Sequence, residues 1–183
     1  MALVGSVGAR SDPLLGFNFI ISLIDTSSVL ALATSVVGSA ISDVALGGFT
    51  ECTGLEMALD VEEYKEGGNN GAILKFPTRV KWTDITLKKG MGTSTELWDW
   101  HYGFVEGRGK RRDGIIMLQN DLHEPNNVWY FKRGLPIKYT GPTMNASQNS
   151  VAIESIVIAH EGVYQVPAVG LVTSIVSGVA SLF

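Results

Sequence analysis

The sequence predicts a mainly β domain, a sandwich or small barrel with one flanking helix, on three observations. Apolar and polar residues alternate in several runs, clusters of Gly, Asn and Pro separate those runs, and only residues 93 to 105 carry a helical period. At 183 residues one domain can bury roughly two-thirds of the surface its unfolded chain exposes, and no internal repeat or linker divides it.

The first run is Phe17 to Ile24, with Phe17, Phe19, Ile21 and Leu23 facing one way and Asn18, Ile20, Ser22 and Ile24 the other. Residues 26 to 48 lose this regularity and read as an insertion. Alternation returns from Leu55, where Leu55, Met57, Leu59 and Val61 form the expected core face and Glu56, Ala58, Asp60 and Glu62 a wet, acidic one. Gly67, Gly68, Asn69, Asn70 and Gly71 accept positive φ cheaply, so an exposed excursion precedes a strand at Ile73 to Phe76 that Pro77 limits. Thr83, Ile85 and Leu87 start another strand, ending at Gly90 or Gly92.

The helix opens on Thr93 and Glu96 at capping-box spacing. Leu97, Trp100, His101, Phe104 and Val105 give it one apolar face, and Gly107 and Gly109 stop it. Past the basic run Arg108 to Arg112, Ile115 to Leu118 and Val128 to Phe131 read as paired strands around a polar turn, with Leu135 to Thr140 as a third strand. Val151 to Glu161 reads as a strand covered on both faces.

Fourteen basic against 18 acidic residues give a net charge of −4, which offers no general attraction to nucleic acid or an anionic membrane. The chain is 45% hydrophobic and only 17% charged, less charged than an average soluble domain, which suggests surface hidden by partners. One cysteine, Cys52, excludes an internal disulfide framework and reads as a small buried hydrophobe. The N-terminus lacks the pattern of a secretory signal, and neither Thr26 to Ser42 nor Gly162 to Phe183 is a convincing membrane span.

No catalytic, metal or cofactor site is expected. His101, His123 and His160 lack paired ligand spacing, and no nucleophile elbow or phosphate-binding glycine loop is present. His160 and Glu161 point to opposite faces of a strand and read as edge or interface residues. Asn145-Ala146-Ser147 reads as a turn. Arg108, Lys110, Arg111 and Arg112 form either a solvated loop or a grip for phosphate or an acidic partner. Glu56, Asp60 and Glu62 either face solvent or, copied around a ring, line a channel. An independent carbohydrate- or peptide-binding module is the other class open to a small β domain.

The order E-Y-K-E-G-G-N-N at 63 to 70, D-I-T-L-K-K-G at 84 to 90, T-E-L-W-D-W at 95 to 100, P-I-K-Y-T-G-P-T-M-N-A at 136 to 146 and V-A-I-E-S-I-V-I-A-H-E-G at 151 to 162 resembles the tail tube proteins of contractile phages and phage-like extracellular injection systems. The resemblance covers roughly residues 12 to 165. It implies a tail-tube-type β-sandwich whose copies form hexameric rings, stacked into a hollow tube inside a contractile sheath, with a baseplate hub or spike at one end and a terminating cap at the other.

The resemblance further implies that Tyr64, Lys65, Glu66, Gly67, Gly68, Asn69 and Asn70 touch the adjoining ring. Glu56, Asp60 and Glu62 would face the lumen and any cargo in it, and Arg108, Lys110, Arg111 and Arg112 the sheath. Assembly in the cytoplasm is expected, with a membrane met only as the pierced target. Residues 1–165 would form the tube domain, including the 26–48 insertion, and 166–183 a hydrophobic extension. Both additions suit either a main tube subunit or an adaptor ring at one tube end.

Overall fold

A computed structural model describes residues 15–25, 48–68, 71–123 and 125–167. Among the described residues nine strands and one helix follow in the order β1 (Phe19–Asp25), β2 (Phe49–Thr53), β3 (Met57–Tyr64), β4 (Leu74–Trp82), β5 (Ile85–Gly90), α1 (Glu96–Val105), β6 (Arg112–Gln119), β7 (Pro125–Thr140), β8 (Ile153–Ala159) and β9 (Val163–Pro167). The mainly β fold with one helix matches the sequence reading. The expected insertion lies outside the described residues except for Gly48, as does the expected extension beyond Pro167.

Seven strands join antiparallel in the path β1-β6-β7-β8-β5-β2, with β9 also on β7, and β3 and β4 form a separate two-stranded sheet. The body turns on β7, whose first half pairs with β6 and β9 and whose second half pairs with β8. What the sequence suggested as two strands, 128 to 131 and 135 to 140, is therefore one 16-residue strand with a corner in it.

That corner has identifiable causes. Arg133 sits at φ 52, and the ladder to β6 shifts register between Arg112 and Gly114. Such a local insertion bends a strand and strengthens its twist without ending it. The buried Asp113 carboxylate holds the bend, accepting a hydrogen bond from the Arg133 backbone N–H at 2.7 Å and another from the Tyr130 hydroxyl. Burial, followed by the Asp113 hydrogen bond, pushes the Tyr130 phenol well above its usual range.

Both halves of β7 enclose one core. Ile21 and Leu23, Ile85 and Leu87, Ile116, Phe131, and Ile156 and Ile158 meet Leu97 and Trp100 of α1 there. The alternation of β5 is obeyed, with Ile85 and Leu87 fully buried. On β8, Ile156 and Ile158 share their core-side register with Glu154, also buried, while Val151 lies exposed before the strand begins. Lys89 stands 3.8 Å from Glu154, whose other oxygen accepts from Tyr139 at 2.8 Å. A buried carboxylate needs such company.

The helix begins later than its capping-box spacing suggests. Glu96 is its first residue and Thr95 its N-cap, and the Thr95 hydroxyl donates to Asp99 at 2.7 Å instead of receiving a backbone N–H. Glu106 follows as C-cap, and Gly107 takes φ 75 at the expected stop.

The largest departure is the β3–β4 hairpin. Met57, Leu59 and Val61, expected in the core, are 75%, 54% and 52% exposed, because β3 pairs only with β4. Nor does Pro77 limit β4, which runs through it to Trp82. An edge strand tolerates the missing N–H, and Pro77 lies at a register shift between Leu59 and Val61.

Candidate functional site

Cross-strand partners share a face, so the hairpin register defines two surfaces. One carries Met57 opposite Trp82, Leu59 opposite Val80, and Val61 opposite Pro77. Val80 is 54% exposed, so this face is an apolar stripe open to solvent. Toward the tip it becomes polar, with Glu63 and Lys75 paired at 3.6 Å.

The other face holds the acidic residues singled out in the sequence, but they are not alone. Asp60 pairs with Lys81 at 2.8 Å, Glu62 stands opposite Phe76, and Tyr64 opposite Leu74. The Tyr64 and Phe76 rings meet edge to face at 6.5 Å. Glu56 precedes β3, where its backbone carbonyl accepts from the Thr83 N–H at 3.3 Å. This face is therefore mixed acidic and aromatic, not uniformly acidic. Lys65, Glu66, Gly67 and Gly68 follow Tyr64 in the exposed hairpin loop, and Asn69 and Asn70 lie outside the described residues.

The basic run divides between two places. Arg111 donates to Glu161 at 3.0 Å, Arg133 donates to the same oxygen at 3.0 Å, and Arg111 also reaches the Arg133 carbonyl at 3.5 Å. Arg111 and Glu161 therefore brace the β7 corner. His160, next in line, meets the Thr83 carbonyl through Nε2 at 3.0 Å and does not join Glu161.

Arg108, Lys110 and Arg112 instead line a cleft of about 300 Å³ against Asp99, Trp100 and Gly103 of α1. Its floor is fixed locally. The Trp100 indole N–H donates to the Lys110 carbonyl at 2.9 Å, and the Arg112 guanidinium lies over the Trp100 ring at 5.6 Å. Gly109 passes so close to Phe104 that a Cβ there would lie 2.3 Å from the ring. Arg108 also pairs with Glu106. Sequence spacing showed the charges but not this split, which depends on contacts up to 50 residues away.

A second cleft, about 320 Å³, opens between Phe19, Leu118 and Trp129 on one side and Cys52 and Leu55 on the other. Burial pushes the Cys52 thiol up to about 11, consistent with a half-buried, unreactive residue. Among the described residues no group of three or more His, Cys, Asp or Glu side chains could hold a metal, and no helix is long and apolar enough to cross a membrane. The Asn145 side chain accepts from the Ser147 N–H at 3.0 Å, closing the expected turn.

The features built outward on this body are an exposed apolar stripe and a basic cleft. A family model for the T4-like virus tail tube protein gp19 matches residues 16–164. The chain belongs to that tail tube family. Two solved structures at 26% identity are similar: a chain in the sheath-tube complex of the extracellular contractile injection system PVC in its extended state, and one in the PVC sheath/tube terminator. The first has a TM-score of 0.68 and covers 85% of this chain and 92% of its own; the second has 0.70, with 86% and 99%. A chain of the anti-feeding prophage baseplate shares the fold at TM-score 0.71 and 19% identity, covering 87% of this chain and 99% of its own. No curated protein matches. As a tail tube protein the chain is a structural component of contractile injection systems, with relatives among both tube and terminator proteins.

Proposed function

We propose that this chain is the repeating inner-tube subunit of a contractile injection system or phage tail. Identical copies close into hexameric rings, the rings stack into a hollow conduit, and contraction of a surrounding sheath drives it through a target envelope. The hub or spike and the cap close its ends, cargo occupies the lumen, and the parts assemble in the cytoplasm before release. No bond is made or broken.

The observation that carries this reading is the β3–β4 hairpin, a two-stranded sheet with a solvent-exposed apolar stripe from Met57 to Val61 and Val80. Covering the exposed half of each of these side chains stabilises the covered state by roughly 1 kcal/mol apiece. A neighbouring copy supplies that cover and closes a free strand edge in the same step. In this arrangement Tyr64 to Asn70 reach the adjoining ring, while the Asp60 and Glu62 face, with Glu56, turns to the lumen. Negative-stain microscopy of the purified full chain tests the reading. Hollow tubes are expected, and particles that stay single at every concentration would overturn it.

A second reading, an adaptor ring joining the tube to a hub or cap, is favoured by the likeness to the PVC sheath/tube terminator at the same 26% identity. It predicts isolated rings that never stack without another component.

A further inference from the structure

The β3–β4 hairpin stands on the body by two covalent roots, residues 54 to 56 and 82 to 84, and several contacts there join root to root. The Thr83 N–H donates to the Glu56 carbonyl at 3.3 Å, and the Thr83 hydroxyl reaches the Glu56 carboxylate at 3.5 Å. Gly54, at φ 93, passes so close to Asp84 that a Cβ would lie 2.1 Å from its carbonyl oxygen. Only glycine fits this crossing, which makes it a fulcrum. Bonds between the roots close the hairpin, but they do not fix its angle to the body.

His160 supplies the contact that does. It follows β8, 77 residues along the chain from Thr83, and its Nε2 meets the Thr83 carbonyl at 3.0 Å. A carbonyl only accepts, so Nε2 carries the proton and the tautomer is set. Nδ1 is buried with no partner, which leaves the Thr83 bond as the ring's one polar duty. The same ring lies 6.1 Å from Trp82, at the base of the apolar stripe, and 6.3 Å from the fully buried Phe131. Its mounting is firm. Glu161, the next residue, accepts from Arg111 and Arg133 at 3.0 Å each, and its N–H donates to the Lys132 carbonyl at 3.0 Å.

We propose that His160 is a positioning residue for assembly, a latch whose Nε2–H, seated on the Thr83 carbonyl, sets the angle at which the hairpin presents its stripe to the next copy. This rests on the reading of the stripe as a contact between copies and goes beyond it, because the brace of Arg111, Arg133 and Glu161 gains the task of holding the latch. Leverage makes the angle matter. The eight residues of β3 reach about 27 Å, so a turn of about 10° at the root moves the tip by roughly 5 Å, one strand spacing.

The test has two readouts on the full chain. Spin labels at Lys65→Cys in the hairpin loop and Lys138→Cys on the body, with Cys52→Ala removing the native thiol, report the hairpin angle as a distance distribution. They are read in single chains carrying Leu59→Asp with Val61→Asp. Tube formation is followed separately, without labels, by sedimentation over a concentration series. His160→Phe keeps the ring but loses the donor, and His160→Asn keeps an amide too short to reach Thr83. Both should broaden the distribution at least about twofold and raise the concentration at which tubes form at least about fivefold, as loss of one hydrogen bond per copy implies. His160→Gln, whose longer side chain returns an N–H to the place of Nε2, should restore both.

A distribution as narrow in His160→Phe and His160→Asn as in the wild type would overturn the proposal, as would one already broad in the wild type. Broadening with unchanged tube formation would overturn the link to assembly, and failure of His160→Gln to rescue would overturn the role of the donor. Unfolding of the body in both the Phe and the Asn variants would make His160 a core residue and overturn it too. Absence of tubes from the wild-type chain would instead strike the inner-tube reading, with the latch still decided by the distances.

Discussion

Ile85 and Leu87 in the body and Leu59 and Val61 in the hairpin follow one period-2 pattern, yet the first pair is fully buried and the second more than half exposed. The difference lies in neighbours. Strand β5 has β2 on one side and β8 on the other, with α1 and the far strands closing over its apolar face, whereas β3 has β4 alone. Alternation therefore reports that a face needs cover, but not whether the cover comes from the same chain.

The body should respond to substitution like a sealed core. Phe131→Ala should destabilise the chain by about 3–5 kcal/mol in denaturant unfolding, since this ring is fully buried at the β7 corner. Gly114→Ala places a Cβ 2.1 Å from the same ring and should cost about 1–3 kcal/mol by overpacking. Losses below 1 kcal/mol in both would mean that the two regions are not packed differently.

Alkaline pH sharpens the contrast from another side. The half-buried Cys52 thiol is held up to about 11 against an ordinary 9.0, so the fold prefers the protonated form. Its contribution to stability is complete below about pH 9 and is lost as pH rises through about 11. Thermal melts across that window should fall more for the wild type than for Cys52→Ala. Equal falls would show the thiol to be open to solvent. The smallest effect is expected at Gly103→Ala, which should stabilise the helix by about 0.5–1 kcal/mol.

Much of this division was legible in the sequence. The alternation at Ile85 and Leu87, the helix face of Leu97 and Trp100 and the glycine-rich hairpin loop all rest on local periods, which local sequence displays. The continuity of β7 was hidden because a corner at Arg133 and Gly134 looks like a break when its Asp113 clamp, 20 residues earlier, is unseen. Burial of Lys89 and Glu154 was hidden for a similar reason, since the two meet across the β5–β8 ladder and Tyr139 reaches Glu154 from β7. The divided basic run likewise became visible only once Glu161 was placed beside Arg111. The exposed hairpin stripe is a different case, since its pattern was read correctly and only its cover was misplaced.

The direct test of that cover is the mass in solution of the wild type and of Leu59→Asp with Val61→Asp, measured by light scattering over a dilution series alongside thermal melts. The account predicts a multimeric wild type and a single-chain variant whose body melts within a few degrees of it, since exposed sites change stability little. A variant that assembles as readily as the wild type, or one whose body unfolds, would contradict the claim that this face belongs to a neighbour.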